Sequence, residues 1–239
     1  MPLPKIATPT YELELPSTGE TVKYRPFLVK EEKLLVIALE SEDTKQITNA
    51  IKTVIKNCIE TKGIKVETLP TFDIEYLFLN IRGKSVGEEI DVNIICPDDE
   101  ETQVQVKINV DDIQVERDEN HTNRIKLYDN LMMEMKYPSL EQFIKNNFDL
   151  SSNNSIDQSF EVIASCVDKI FNQEEVWSAV DVTKKELMEF LDQMNTTQFK
   201  EIEKFFETMP KLSHKIKVKN PKTEVDSEVV LEGLSSFFA

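Results

Sequence analysis

Phe72-Asp-Ile-Glu-Tyr-Leu-Phe-Leu-Asn-Ile81 leads, through Gly83 and Gly87, into two runs that alternate apolar and polar residues, Ile90 to Cys96 and Val104 to Val110. Apolar residues at steps of three and four make the first segment an amphipathic helix. The period of two on either side of Pro97 makes the following runs a β-hairpin. The same order returns near the C-terminus, where Phe199 to Phe206 reads as a helix and Ile216 to Val218 with Val225 to Leu231 as a hairpin. A helix feeding a hairpin, used twice, sets the expected fold class. It is α+β with two pseudo-repeated halves, each a β-hairpin, amphipathic helices and a second, degenerate zinc-ribbon-like hairpin.

Upstream, Tyr11-Glu-Leu-Glu-Leu15 alternates, Ser17-Thr-Gly-Glu20 turns, and Thr21-Val-Lys-Tyr24 returns, so the chain opens on a hairpin ended by Pro26. Val29 to Leu39 reads as a short helix with Leu34, Leu35, Ala38 and Leu39 on its buried face. From Thr44, Ile47, Ala50, Ile51, Val54, Ile55, Cys58 and Ile59 recur at helical spacing, and Gly63 supplies a left-handed residue after that helix. The first half spans 1–117, and the polar, aperiodic Asp118 to Asn123 connects it to a second half, 124–239.

In the second half, Arg124 to Leu127 and Leu131 to Lys136 flank a turn, and Tyr137-Pro138-Ser-Leu140 starts a helix through Asn146. Ile156, Phe160, Ile163, Val167, Ile170 and Phe171 form one helical stripe. Thr183 with Glu186 is a capping-box pattern, and a further helix covers Thr197 to Thr208. Three anchors recur in the same order across the halves. Lys23-Tyr24-Arg-Pro26-Phe-Leu28 answers Lys136-Tyr137-Pro138-Ser-Leu140, and Val54-Ile-Lys-Asn-Cys58-Ile-Glu60 answers Val162-Ile-Ala-Ser-Cys166-Val-Asp168. At the hairpin turns Cys96-Pro97 answers Asn220-Pro221. An extra helix around Lys184 to Gln193 lengthens the second half.

Composition bounds the function. The 239 residues are 40% hydrophobic, enough for a real core, and 28 Lys and Arg against 44 Asp and Glu leave a net charge of −16. Such a chain repels phosphate backbones, so nucleic acid is not an expected partner. No apolar run approaches the roughly 18 residues of a membrane span, and Met-Pro-Leu-Pro is no signal-peptide core, so a cytoplasmic protein is expected. Three cysteines, Cys58, Cys96 and Cys166, argue against a disulfide framework, and Cys58 and Cys166 read as core residues.

No catalytic constellation emerges. Neither His121 nor His214 falls in a metal or triad motif, and five scattered glycines form no phosphate loop. Cys96-Pro-Asp-Asp99 and Asn220-Pro-Lys-Thr223 sit at hairpin turns where a zinc ribbon would carry Cys-X-X-Cys. One sulfur in four positions is a poor zinc site, and Asp98 to Glu101 lack the spacing of a calcium loop. The reading is therefore of a non-enzymatic chain with no cofactor, no metal and no small-molecule substrate. The apolar end, Leu234-Ser-Ser-Phe237-Phe238, either folds back or inserts into a partner, which makes Leu234, Phe237 and Phe238 the partner-binding candidates.

Tyr24-Arg-Pro-Phe-Leu-Val-Lys-Glu-Glu-Lys33, Phe72 to Arg82 with Lys84-Ser-Val-Gly87, and Leu231-Glu-Gly-Leu234 with Phe237-Phe238 resemble the baseplate hub proteins of T-even-type contractile-tailed phages. The resemblance spans nearly the whole chain. It implies a late viral protein that mediates assembly of the baseplate hub through contacts with other hub or tail proteins. Its expected places are the host cytoplasm during assembly and the tail baseplate of the virion. A transient assembly chaperone absent from the mature particle is the alternative, and a hub-associated hydrolase a further one. In that family the two turns often carry Cys-Pro-X-Cys. Here Cys96 stands alone, so a zinc-dependent role does not carry over.

Overall fold

The computed structural model describes residues 6–41, 43–139, 156–233 and 236. Among them the fold is α+β, with six helices and small antiparallel sheets, and it divides into two compact units. One takes Met1–Glu116 together with Lys211–Ala239; the other is Arg117–Pro210. The division differs from the halves 1–117 and 124–239 read from the sequence.

The reason is a long-range pairing. Strand β5 (Gln114–Glu116) is joined by β10 (Lys211–Lys219), Leu212 opposite Val115, and β10 then pairs with β11 (Asp226–Glu232), Ile216 opposite Val229. Periodicity places the last hairpin correctly as a hairpin, but only cross-strand hydrogen bonds say which half receives it.

The first unit begins with β1 (Tyr11–Glu14) and β2 (Thr21–Tyr24), followed by α1 (Val29–Glu40) and α2 (Thr44–Cys58). Helix α2 buries Ile47, Ala50, Ile51, Val54, Ile55 and Cys58, the stripe that the spacing predicts. Helix α3 (Thr71–Val86) extends beyond the predicted stretch and is not amphipathic. Phe72, Ile74, Leu77, Leu79 and Ile81 are buried with Asp73, Glu75 and Asn80, which makes it the unit's central helix. Its first turn is tied to the opening hairpin, where Asp73 accepts hydrogen bonds from the Ser17 amide, at 3.0 Å, and from the Ser17 hydroxyl. Gly83 lets Val110 approach, since a Cβ there would lie 3.1 Å from a Val110 methyl.

Helix α3 ends at Gly87, whose φ of +128° suits glycine, and the hairpin of β3 (Glu89–Ile95) and β4 (Gln103–Asn109) comes next with Val92 opposite Val106. Ile90, Val92 and Ile94 alternate inward, the side that period-two patterning assigns.

The second unit is a sheet in the order β6 (Arg124–Tyr128), β7 (Leu131–Met135), β8 (Val167–Phe171) and β9 (Val176–Ser178). It packs against α4 (Ile156–Cys166), α5 (Lys184–Leu191) and α6 (Thr196–Thr208). The helical stripe expected through Phe171 stops at Cys166. Val167 to Phe171 pairs with β7 instead, because a short apolar run fits strand and helix alike until a neighbouring edge offers hydrogen bonds. The capping box at α5 forms as its sequence specifies, the Glu186 amide donating to Thr183 Oγ1 at 3.2 Å and the Thr183 amide to Glu186 Oε2 at 2.7 Å. The helix expected over Tyr137 to Asn146 lies largely outside the described residues.

Candidate interaction surfaces

Of the three partner-binding candidates, Leu234, Phe237 and Phe238 all lie outside the described residues. The approach to them is described. Leu231 is buried on β11, and Gly233 takes φ +70° and donates its amide to the Leu212 carbonyl at 2.9 Å. A Cβ on Gly233 would lie 3.5 Å from Glu75 Oε1, so the chain turns against α3 at this point.

Helix α1 exposes Leu34 and Leu39, which the sequence pattern assigned to the interior. Of the expected buried face only Ala38 is buried. Val29 is 65% exposed, Val36 48% and Ile37 62%. The anchoring side is polar. Glu31, 1% exposed, accepts from Arg25 Nη2 at 3.1 Å and from the Leu28 amide at 2.9 Å, while Arg25 also donates to the Pro26 carbonyl. Burial alone would raise the Glu31 carboxyl; the bonds from Arg25, Leu28 and Lys30 outweigh it and hold its pKa below the ordinary value. The legible signal was the unbroken run Leu34-Leu-Val-Ile-Ala-Leu39, since a helix apolar on every side must be covered on every side.

The two proline turns come together. Both close in one way, the Glu100 amide donating to the Cys96 carbonyl and the Glu224 amide to the Asn220 carbonyl at 2.9 Å each, with Glu100 and Glu224 at positive φ. Asn220 is buried, and its Nδ2 donates to both Asp98 carboxylate oxygens at 3.0 Å. Its Oδ1 accepts from the Lys222 amide at 2.8 Å, and Thr223 Oγ1 donates to Asp98. Asp98 is held below the ordinary carboxylate range by Thr223 and Asn220, and Asp99 by the Thr102 side chain and amide.

This donor set does not fit zinc. Asn220 presents N–H groups toward Asp98, Thr102 occupies Asp99, and among the described residues no group of three ligating side chains converges. The junction is a hydrogen-bonded clasp, with Asn220 and Thr223 bonding where a second knuckle would bind metal.

Elsewhere, chemistry-bearing groups are spent on packing. All three cysteines are buried, and burial pushes the Cys58 thiol up to about 11. His121 has Nδ1 2.9 Å from Thr208 Oγ1 and Nε2 3.0 Å from the Tyr137 hydroxyl, and its ring stacks on Tyr137 against Phe205. Burial lowers its pKa. The second unit also holds an apolar cleft of about 290 Å³ lined by Leu131, Ile170, Trp177, Val182, Leu187 and Phe190, which no sequence pattern announced. Among the described residues no helix is long and apolar enough to cross a membrane.

A family model described as T4 bacteriophage base plate protein matches residues 8–239. No curated protein and no solved structure matches the chain.

Proposed function

Since the chain belongs to the T4 bacteriophage base plate protein family, and so is a structural protein of the phage baseplate that contacts other baseplate proteins, we propose that it is a non-enzymatic component of the baseplate hub. It acts by mating surfaces during assembly of the tail tip. The observation that carries this reading is α1, a helix whose apolar residues face outward while a buried ion pair fixes it in place. Complementary apolar surfaces are what one-time assembly requires, whereas turnover requires a cleft with poised acids, bases or nucleophiles. The burial of the cysteines and the stacking of His121 support the non-enzymatic reading.

Quantitative mass spectrometry of purified virions and of partly assembled tails tests it. A fixed copy number in virions is the expected result. Presence in partial tails alone would assign the protein instead to a chaperone that departs. Peptidoglycan-degrading activity of the purified chain would overturn the non-enzymatic reading.

A further inference from the structure

Helix α1 turns two opposite faces to its surroundings. Glu31, Leu35 and Ala38, spaced four and three, point inward; Glu31 and Ala38 are buried and Leu35 partly so. On the other side Val29, Lys33, Val36, Ile37 and Glu40 share one exposed face at the same spacing, flanked by Leu34 and Leu39. The Phe27 amide donates to Ser85 Oγ at 2.9 Å, and the residues that follow each of them, Leu28 and Val86, are both exposed.

The charges on this face have a polarity. Lys33 lies toward the N-terminal end, Glu40 closes the C-terminal end, and Val36 and Ile37 lie midway between them. We propose that α1 is the self-complementary interface of a homodimer, packing antiparallel on α1 of a second copy. With the two-fold axis between Val36 and Ile37, residue 33 of each helix falls opposite residue 40 of the other. Two Lys33–Glu40 ion pairs then bracket a core of Val36 and Ile37 from each helix, with Val29 outside the pairs at either end. An isologous contact of this kind needs only one patch that complements itself, and α1 supplies both its apolar centre and its opposite-charge ends. Two chains of net charge −16 repel at long range, so the local Lys33–Glu40 pairing also fixes the direction and register of approach.

The homodimer is a property of the free protein and does not depend on a hub role, so the test uses the purified full chain alone. Light scattering during size-exclusion chromatography should give twice the chain mass. Ile37→Glu should give a single chain mass with an unchanged far-UV circular dichroism spectrum, because Ile37 is 62% exposed and its replacement leaves the core intact. Lys33→Glu should weaken the dimer at least about tenfold by setting like charges opposite each other, and adding Glu40→Lys should restore it. A wild-type chain that stays at one chain mass up to about 100 µM would overturn the proposal. So would a dimer that survives Ile37→Glu, or one that Lys33→Glu with Glu40→Lys fails to rescue. Single-mass wild-type protein whose Ile37→Glu form blocks tail assembly would give the face to a different chain.

Discussion

In the first unit, β2 is rejoined after helices α1 and α2 by one bridge, Tyr24 opposite Ile59; in the second, β7 is rejoined after α4 by β8, beginning with Met135 opposite Val167. The junction is the same in both. A cysteine ends the helix, Cys58 or Cys166, each fully buried, and its carbonyl accepts from the residue after the strand. The Arg25 amide reaches Cys58 at 2.9 Å, and the Lys136 amide reaches Cys166 at 2.7 Å. Beyond the junction the two chains of residues diverge. Ile59-Glu-Thr-Lys-Gly63 turns away at a glycine with φ +95°, while Val167-Asp-Lys-Ile-Phe171 keeps enough β-forming residues to hold a strand that β9 then extends. In both units the strand is thus met again at the end of a helix, and the few residues after that helix decide whether a sheet grows.

The pairing also refines the sequence correspondence. The hydrogen bonds to Cys58 and Cys166 set Arg25, not Tyr24, against Lys136, and the β7–β8 pairing shifts register between Glu134 and Met135. The tyrosines serve different ends. Burial pushes the Tyr24 hydroxyl up to about 12, whereas Tyr137 stacks on His121 and Phe205.

The sharpest difference is at the residue after the strand, because Arg25 is held by a buried carboxylate and Lys136 is exposed. Glu31→Ala should cost about 3 kcal/mol in urea unfolding, by leaving a largely buried guanidinium unpaired, and Lys136→Ala less than about 0.5 kcal/mol. Equal losses would erase the distinction between the units. Cys58→Ser and Cys166→Ser should each cost about 1 to 3 kcal/mol, and by similar amounts, since each buries a hydroxyl at the same junction. Losses differing by more than that range would break the structural equivalence.

The clasp belongs to the first unit alone, and its effect should be smaller. The pKa of Asp98 is depressed, so its contribution is complete above the unfolded-chain value of about 3.9 and is lost as pH falls through the folded value. Asp98→Asn should therefore lower the melting temperature at neutral pH and reduce its fall between about pH 5 and 3, as monitored by calorimetry. An unaltered acid profile would remove the carboxylate from the clasp. The least effect concerns reactivity. With its thiol near 11 and buried, Cys58 should resist alkylation at about pH 8 until the chain unfolds, which mass-shift labelling reads directly.

Much of the fold was legible because its causes are local. The α2 stripe from Ile47 to Cys58, the Thr183–Glu186 box and the alternation of β3 each rest on residues a few positions apart. The clasp was half legible, since Cys96-Pro97 and Asn220-Pro221 announced matching turns, but their meeting through Asp98 joins positions 122 residues apart in sequence. Leu34 and Leu39 of α1 were misread as buried because apolar composition predicts burial without naming what does the burying.

The sequence by itself determined the helix stripe of α2, the hairpins β1–β2, β3–β4 and β10–β11, the cap of α5, and that Cys58 and Cys166 are core residues. Tertiary structure alone decided that Lys211 to Glu232 joins the first unit, that Val167 to Phe171 is a strand, and that Glu31 rather than Leu34 anchors α1. The physical reason is one of range. Caps and periodicities are satisfied within a few residues, whereas strand edges, buried ion pairs and exposed apolar faces take their energies from partners that the local sequence does not specify.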